Sequence, residues 1–444
     1  MRIDIFCREN PMPLNNPSES ARPQRQINDV DYVGSAEAMS ILGVRRETLY
    51  TYVSRGLIKT MQRPGVKAKL YRKADVEKLR SRAVARSGGP QVAHSLRYGE
   101  PIAQTWISEI TAHGPRYRGV LARDLVRDGR SFEFASELIW TGLPRTRDIA
   151  WPPLQDTRQA ESLVNLALHS AEHVTPLKLL SMLTTSLSAF ERAEDDMQTA
   201  GFAACRRLLQ TLAGTAGVFG PRAQFSAPRD GEFMAQCVAR GLGLGDRPDA
   251  VRAIDAALVM SAEHELSAPT FATRICASTG ADLHACVAAA MLTQSGSMQV
   301  GGAVEVEALI DALPFGLEPE DALPLAAASG FKSNELPCFG HPLYDGEDPR
   351  SAVLLDFIGR LDTHGPDTPR VQALVAGARQ AGQHPNVFAA LVILCKAIGL
   401  PNGSGAMLHT LARTSGWIAH AMEQRLTGAM LRPRAKYMGQ HHPR

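Results

Sequence analysis

The sequence predicts a mainly α-helical protein, in which a small basic winged helix-turn-helix domain precedes a large helical body. Leu/Ala-rich runs with apolar residues spaced by three and four are typical of amphipathic helices, and they fill much of the chain. These runs lie at 158–190, 196–216, 248–261 and 281–293. Strand-like alternation is scarce, and a few short strands are expected only near residues 92–120. Residues 35–82 carry twelve Lys/Arg and four Asp/Glu in a chain of net charge +3, so positive charge is concentrated there.

Length and composition limit the class of protein to which this chain can belong. A chain of 444 residues has room for two or three domains, and 44% apolar with 21% charged residues is ordinary for a soluble globular protein. The seven cysteines include no Cys-x-x-Cys pair, so we expect neither a zinc site nor a disulfide framework. We also expect no bound cofactor. The N-terminus lacks the apolar core of a signal peptide, and no window reaches the ~18 apolar residues of a membrane helix. We therefore expect a cytoplasmic protein without a membrane partner.

The first predicted elements are a tail and two short helices. Residues 1–30 are rich in Asn, Pro, Ser and Gln without any period, which predicts a disordered tail. Ser35 is predicted to cap a helix over 36–42, and Gly43 breaks the chain after it. A second helix is predicted over about 45–55. Two helices joined by a tight Gly turn form a helix-turn-helix.

A wing and a linker are predicted to follow. The segments IKTMQ and AKLYR flank Arg63-Pro64-Gly65, a pattern that predicts a short hairpin, and a third helix is expected from Ala74. The predicted winged helix-turn-helix domain therefore spans 31–82. The basic, Gly-containing segment 83–90 is predicted to link it to the helical body.

The segment GVRRETLYTYVSRGLI, from Gly43 to Ile58, resembles the winged helix-turn-helix of MerR and excisionase proteins. The resemblance implies that the second helix enters a DNA major groove and that the wing meets phosphates. The residues so implied are Arg45, Arg46, Thr48 and Tyr52 in the helix, and Arg63, Lys67 and Lys69 in the wing. Arg45 stands where such domains commonly have a capping serine, so a weaker helix cap is expected. The alternative is a packing or dimerisation module with a solvated basic face.

The segment CFGHPLYDGEDPR, from Cys338 to Arg350, is too rich in Gly and Pro for the middle of a helix and is predicted to be a loop. It carries a histidine, a tyrosine and an arginine at fixed offsets, which suits the presentation of polar groups to an anionic or carbonyl ligand. A solvated surface turn is the alternative, because turns attract these residue types.

Four separated segments of the body resemble citrate synthases in the family's order. They are 115–146, which contains YRGVLARDL; 262–291, which begins AEHELSAPTFATR; the loop 338–350; and 413–439, which contains RTSGWIAH and RPRAKYMG. The resemblance covers about residues 90–440. It implies a large helical domain over 91–300 and 405–444, a small one over 301–404, and condensation of acyl-CoA with oxaloacetate in the cleft between them.

The resemblance also implies roles for individual residues. His264 corresponds to the histidine that touches oxaloacetate and His341 to the one that polarises its carbonyl, so both are candidate catalytic residues. Bidentate arginines suit two carboxylates. The implied substrate-binding set is His264, His341, Arg350, Arg413 and Arg432, with Arg432 reaching the site of a neighbouring subunit.

Two positions depart from the family's catalytic pattern. The family places an enol-stabilising histidine just before Gly-Gly-Ala, where this chain has Val300, or Gln299 if one residue of slip is allowed. It places its catalytic base in PNVD, where this chain has Phe388, and a phenyl ring takes no proton. Because a base and an enol donor each contribute about 10²-fold or more, the implied condensation is expected to be impaired. His384 and Glu305 are candidate substitute bases.

The acyl-CoA half departs as well. Pro342 and Asp345 replace basic residues of the family pattern, and Ser267 replaces an asparagine. Loss of positive charge weakens contacts with CoA phosphates, and Lys332 is the candidate replacement.

Three functions stay open at this point. The first is a citrate synthase-type acyltransferase with acyl-CoA as co-substrate. The second is a non-catalytic, DNA-binding regulator that senses oxaloacetate or a citrate-like acid, in which a homodimer that closes on its ligand changes the spacing of two DNA-binding modules. The third is a pseudo-subunit that completes the site of an active citrate synthase in a hetero-oligomer.

Overall fold

The computed structural model describes residues 32–55, 57–62, 69–73, 75–76, 103–170, 174–190 and 202–433. The chain divides into two units, with the boundary after Ile102. The predicted tail 1–30, the predicted linker 83–90 and the wing residues Arg63 and Lys67 lie outside the described residues.

The N-terminal unit contains two helices and three short strands. They are β1 (Tyr32–Val33), α1 (Ser35–Leu42), α2 (Arg46–Ser54), β2 (Thr60–Gln62) and β3 (Lys69–Arg72), with the strands antiparallel in the order β1-β3-β2. A small core of Ala38, Leu49, Ile58, Tyr71 and Val76 is buried between them. The assignment of this unit as a winged helix-turn-helix domain of the MerR type stays a prediction.

The caps of α1 and α2 agree with the predictions in part. The prediction that Ser35 caps α1 is wrong, because Ser35 is its first helical residue and Gly34 is the cap, whose carbonyl accepts from Ala38 N at 2.9 Å. Gly43 ends α1 in the left-handed region at φ 62°, which glycine adopts without steric cost. Arg45 caps α2 without a side-chain hydrogen bond, in line with the weaker cap expected there.

The larger unit opens with a small antiparallel sheet. Its strands are β4 (Ser108–Thr111), β5 (Gly114–Tyr117) and β6 (Val120–Leu121), at the end of the region where short strands were expected. Tyr117 is fully buried and its hydroxyl donates to the carbonyl of Val259 at 2.9 Å, which ties the sheet to the helical core.

Helices make up most of the larger unit, as predicted. They are α3 (Ala122–Arg127), α4 (Phe132–Thr141), α5 (Arg158–Ser170), α6 (Pro176–Ser188), α7 (Phe202–Gly214), α8 (Met234–Gly241), α9 (Pro248–Ser261), α10 (Ala268–Ser278), α11 (Leu283–Gln294), α12 (Gly302–Ala312), α13 (Ala322–Ala328), α14 (Pro349–Ile358), α15 (Thr368–Gln380), α16 (Val387–Ile398) and α17 (Ser404–Thr427). The predicted division of this unit into a large and a small domain stays a prediction.

Helix α17 runs through the core. It is 24 residues long, and its first 18 residues are buried on every side, as expected of a helix surrounded by other elements. Glycines permit close approach at two points: a Cβ on Gly405 would lie 3.1 Å from Val392 N in α16, and a Cβ on Gly416 would lie 2.6 Å from the Ala262 carbonyl. These approaches bring α17 close to the middle of α16 and to the C-terminal end of α9.

Among the described residues, no helix combines the length and the apolar character needed to cross a membrane.

Candidate active site

Side chains from five segments meet in the larger unit. His264 lies between α9 and α10, His341 and Tyr344 lie in the loop before α14, and Arg350 lies in the first turn of α14. Phe388 opens α16, and His409 and Arg413 are one turn apart on α17. The histidine rings are close neighbours, with the centroids of His264 and His341 5.3 Å apart.

The loop 338–350 is held by backbone hydrogen bonds to the start of α16. The Asn386 N–H donates to the Cys338 carbonyl at 2.8 Å, and the Gly340 N–H donates to the His384 carbonyl at 2.7 Å. The Asn386 amide also donates to the Gly340 carbonyl at 3.1 Å. Cys338 has a positive φ of 58°, uncommon for a residue with a side chain. The prediction of a loop is confirmed, and these hydrogen bonds hold its backbone against the start of α16.

Asp348 organises the end of this loop. It caps α14 by accepting from Arg350 N, and its two oxygens accept from Arg350 Nε at 3.0 Å and Nη2 at 2.7 Å. Oδ2 also accepts from Val387 N at 3.1 Å, which joins α14 to α16. Burial opposes ionisation of Asp348, but the Arg350 charge outweighs it and holds the pKa of Asp348 below its ordinary value. Arg350 is thus a fixed, buried cation beside the histidines.

His341 is arranged as a neutral hydrogen-bond donor. The Leu343 N–H donates to His341 Nδ1 at 3.1 Å, so a neutral ring carries its proton on Nε2. Burial and the neighbouring Arg350 charge lower the pKa of His341 to about 4. An Nε2–H donor suits the carbonyl oxygen of a ligand.

His264 and Tyr344 form the second half of the pair. His264 Nε2 lies 2.9 Å from the Tyr344 hydroxyl. Burial, with the Arg350 and His341 charges, lowers the pKa of His264 well below its ordinary value, and burial raises the pKa of Tyr344 to about 12. Both groups are therefore uncharged near neutral pH. The residue after His264, Glu265, has a positive φ of 54°, so backbone strain lies at this site as well as at Cys338.

Arg413 is held by protein partners. Its Nη1 donates to Glu263 Oε2 at 3.0 Å, and its Nη2 donates to Thr270 Oγ1 at 2.7 Å. The other oxygen of Glu263 accepts from Ser108 Oγ at 3.0 Å and lies 3.1 Å from His420 Nε2. Burial opposes the Glu263 charge, but Arg413 and His420 outweigh it and lower the pKa of Glu263 to about 2. The predicted carboxylate clamp Arg413 is thus paired with a buried carboxylate of its own chain.

The two positions that differ from the family's catalytic pattern carry the nonpolar residues Phe388 and Val300, with Gln299 next to Val300. Phe388 is half-buried, and its ring centroid lies 4.4 Å from that of His409. Val300 is buried in the short π-helix Ser297–Gly301 that precedes α12, while Gln299 is half-buried and donates its backbone N–H to the Gly296 carbonyl.

The remaining candidates on the larger unit lie on the surface or carry no site contact. Arg432 is exposed in the segment after α17 and makes no hydrogen bond or ion pair with a described residue. Lys332 is exposed and pairs with Glu335 at 3.2 Å, which leaves the predicted CoA contact untested. The candidate base Glu305 is exposed on α12, whereas His384 is half-buried with an unpartnered Nδ1.

The candidate DNA-binding residues of α2 divide into two groups. Arg45 and Arg46 are exposed, and Arg46 Nε donates to the Tyr50 hydroxyl at 3.1 Å. Thr48 and Tyr52 are half-buried, and Tyr52 packs against the small core of its unit. Lys69 on β3 is exposed.

Sequence reasoning gave no individual role to Asp348, Glu263 and His409, and it noted Tyr344 only as a polar residue of the loop 338–350. Asp348 carried a signal, because an aspartate before Pro-Arg is a common helix cap. His409 carried one too, since it precedes Arg413 by four residues and therefore shares its helix face. The contacts of Glu263 join positions about 150 residues apart, which no local pattern shows.

The helical body and its His, Tyr and Arg cluster define a protein of a known class. A family profile described as citrate synthase, C-terminal domain, matches residues 97–434, and the chain belongs to the citrate synthase family. Among its relatives, citrate synthase 2 of Bacillus subtilis is 26% identical over 71% of this chain and 88% of its own length. The 2-methylcitrate synthase of Shewanella oneidensis is 30% identical over 44% of this chain and 53% of its own length.

Solved structures share the fold. A citrate synthase from Thermoplasma acidophilum, in a ternary complex with carboxymethyl coenzyme A and oxaloacetate, superposes with a TM-score of 0.65 at 20% identity, covering 78% of this chain and 95% of that one. The citrate synthase from Pyrobaculum aerophilum has a TM-score of 0.60 at 23% identity, covering 87% and 96%. These likenesses support the mainly helical, citrate synthase-like fold.

Proposed function

We propose that this protein condenses the acyl group of an acyl-CoA with a 2-oxo dicarboxylate such as oxaloacetate. The observation that carries the proposal is His341, a neutral imidazole with its proton on Nε2, beside the buried Arg350 cation and the His264–Tyr344 pair. A donor and a cation placed together suit a carbonyl that lies next to a carboxylate. Family membership and the oxaloacetate of the Thermoplasma complex support the same ligand class.

In this proposal the residues bind and polarise the keto acid. His341 Nε2–H donates to the keto oxygen, His264 contacts the same end of the ligand, and Arg350 faces a carboxylate. The Cα–H bond of the acyl thioester breaks, its carbon bonds to the keto carbon, and the keto oxygen gains a proton to become a hydroxyl. Water then cleaves the thioester and releases free CoA. The acyl group is acetyl or propionyl, since both citrate and 2-methylcitrate synthases are among the relatives.

Phe388 and Val300 bear on the rate. Neither side chain exchanges a proton or donates a hydrogen bond, so a slower reaction than in a chain with both polar groups is expected. The test is release of free CoA from acetyl-CoA or propionyl-CoA with oxaloacetate, in the wild type and in the Phe388→Asp, Val300→His double variant. Oxaloacetate-dependent release by the wild type supports the proposal, and a gain in the double variant shows that the two substitutions limit the rate. No release from either acyl-CoA by the wild type contradicts it.

A second candidate function is a dicarboxylate-sensing, DNA-binding regulator. The nonpolar Phe388 at the base position and the exposed Arg45 and Arg46 on α2 favour it. Calorimetry with oxaloacetate and citrate, together with gel shifts on genomic fragments, tests this function. Binding of the acid that changes retention of a specific fragment supports the regulator, while absence of acid binding or of a retained fragment excludes it.

Assembly with a second chain stays a prediction for both candidates. The exposed Arg432 supports a contribution to a neighbouring subunit, in a homodimer or beside an active citrate synthase. Co-expression with a citrate synthase, followed by mass measurement of the purified species, separates the homodimer from the hetero-oligomer. Recovery of self-associated chains alone excludes the pseudo-subunit.

A further inference from the structure

His409 is a buried histidine with no hydrogen bond to a described residue. It lies in the first third of α17, is 6% exposed, and its Nδ1 is completely buried without a partner. An imidazole nitrogen buried without a partner costs free energy, so such groups in native structures call for an explanation. A ligand that approaches the ring supplies one.

The ring of His409 belongs to the candidate active site. Its centroid is 4.4 Å from that of Phe388, the residue that occupies the family's base position. It precedes Arg413 by one helical turn and shares its face of α17. Besides burial, the charges of Arg413 and Arg350 lower the pKa of His409, so both arginines lie close enough to act on its ring.

We propose that His409 is the general base of the condensation, in place of the carboxylate that the Phe388 position lacks. This inference rests on the proposed function. The imidazole of His409 lies against the Phe388 ring and is therefore next to the position where the family's carboxylate would stand. His384 is half-buried and its Nδ1 also has no partner, but of these two histidines only His409 has a ring contact with Phe388 among the described residues.

The proposed condensation conserves protons. A ring nitrogen of His409 takes a proton from Cα of the acyl thioester, which leaves the electron pair on an enolate and a positive charge on the imidazolium. The enolate carbon attacks the keto carbon, and the keto oxygen acquires the proton donated by His341 Nε2–H. After thioester hydrolysis, both imidazoles return to their neutral forms by exchange with water.

Ligand binding controls the strength of this base. Burial first, and then the charges of Arg413 and Arg350, lower the pKa of His409 well below its ordinary value in the structure without a ligand. A bound dicarboxylate places negative charge beside Arg350 and offsets the effect of that cation on the imidazole. His409 is therefore a stronger base once the keto acid is bound, and proton abstraction from the acyl-CoA follows dicarboxylate binding.

The test separates proton abstraction from condensation. Exchange of the acetyl-CoA methyl protons with deuterated water is followed by NMR in the presence of malate, a dicarboxylate whose hydroxyl replaces the keto group and prevents attack. His409→Gln removes the base, and His409→Phe does so while keeping a ring against Phe388. Oxaloacetate binding by calorimetry shows that each variant keeps the keto-acid site. His284→Gln, in α11, is the matched control for replacing a buried histidine.

Malate-dependent exchange by the wild type, lowered about 10²-fold or more in both His409 variants but not in the His284 variant, is the expected result. Equal exchange by the wild type and the variants overturns His409 as the base, and it does so even if CoA release shows that the condensation occurs. If exchange depends on His409 but no CoA is released, the assignment of His409 as the base is supported and the proposed condensation is contradicted. Absence of exchange in the wild type overturns the assignment.

Discussion

The buried Glu263 carboxylate offers a quantitative test of how the site is held. It is fully buried and accepts hydrogen bonds from Arg413 and Ser108, with His420 also in contact. Glu263→Gln keeps the shape of the side chain and removes its charge. The Arg413 guanidinium then stays buried without a counter-ion, and breaking a buried pair in this way costs about 3–5 kcal/mol of the free energy of unfolding.

The pKa of Glu263 leads to a similar magnitude. The pKa falls from its ordinary value of 4.5 to about 2, a difference that corresponds to a contribution of about 3 kcal/mol from the charge at pH 7. A carboxyl whose pKa is lower in the folded state stabilises the protein above the unfolded pKa and loses that contribution as the pH falls toward the folded pKa. The contribution is therefore full above about pH 5 and falls to about 2 kcal/mol by pH 3.5.

The assay is urea unfolding of the wild type and Glu263→Gln at pH 7 and pH 3.5. The free energy of unfolding of the variant is expected to be about 3 kcal/mol lower at pH 7, with a smaller difference at pH 3.5. Glu335→Gln is the control, because its partner Lys332 is exposed and such pairs contribute about 0–1 kcal/mol. A difference below about 1 kcal/mol at pH 7, or one that does not shrink with acid, refutes the reasoning.

Two further substitutions test the packing of α17 against Glu263 and the contact between Tyr344 and His264. Gly416→Ala places a Cβ 2.6 Å from the Ala262 carbonyl and against the Glu263 carboxylate, so a loss of about 1–3 kcal/mol in the free energy of unfolding is expected. Gly359→Ala, whose Cβ has its nearest contact at 3.7 Å, is the control, and equal losses would contradict the steric argument. Tyr344→Phe removes the hydroxyl 2.9 Å from a ring nitrogen of the neighbouring histidine, and calorimetry should show oxaloacetate Kd rising by up to about ten-fold. An unchanged Kd would exclude this hydroxyl from keto-acid binding.

Local patterns were enough for the fold class and for the helices within the four Leu/Ala-rich runs at 158–190, 196–216, 248–261 and 281–293. Gly43 ends α1 as predicted, because only the residue itself decides whether a left-handed φ is cheap. The loop 338–350 was also predicted from local sequence, because its Gly and Pro content disfavours the middle of a helix. The cap of α1 was misassigned by one residue, since Gly34 and Ser35 both tolerate the first helical turn and the local sequence hardly separates them.

The candidate site was predictable only in part. Resemblance located His264, His341, Arg350 and Arg413, because each stands in a short motif that can be read without knowing what lies nearby. Resemblance also showed that Phe388 stands where a base is expected. It did not show which side chain packs against that ring, since His409 lies on another helix and the contact depends on how α16 and α17 cross.

The sequence by itself indicated a largely helical chain that resembles the citrate synthase family, and it predicted that two catalytic positions of the family pattern are altered. Composition, helical periodicity and motif order decide those properties, and none of them depends on contacts between distant segments. Only the tertiary structure decided that Arg413 is paired with Glu263, that His264 meets Tyr344 and that His409 lies against Phe388. Such pairs join positions on separate helices, and their distances are set by how those helices pack.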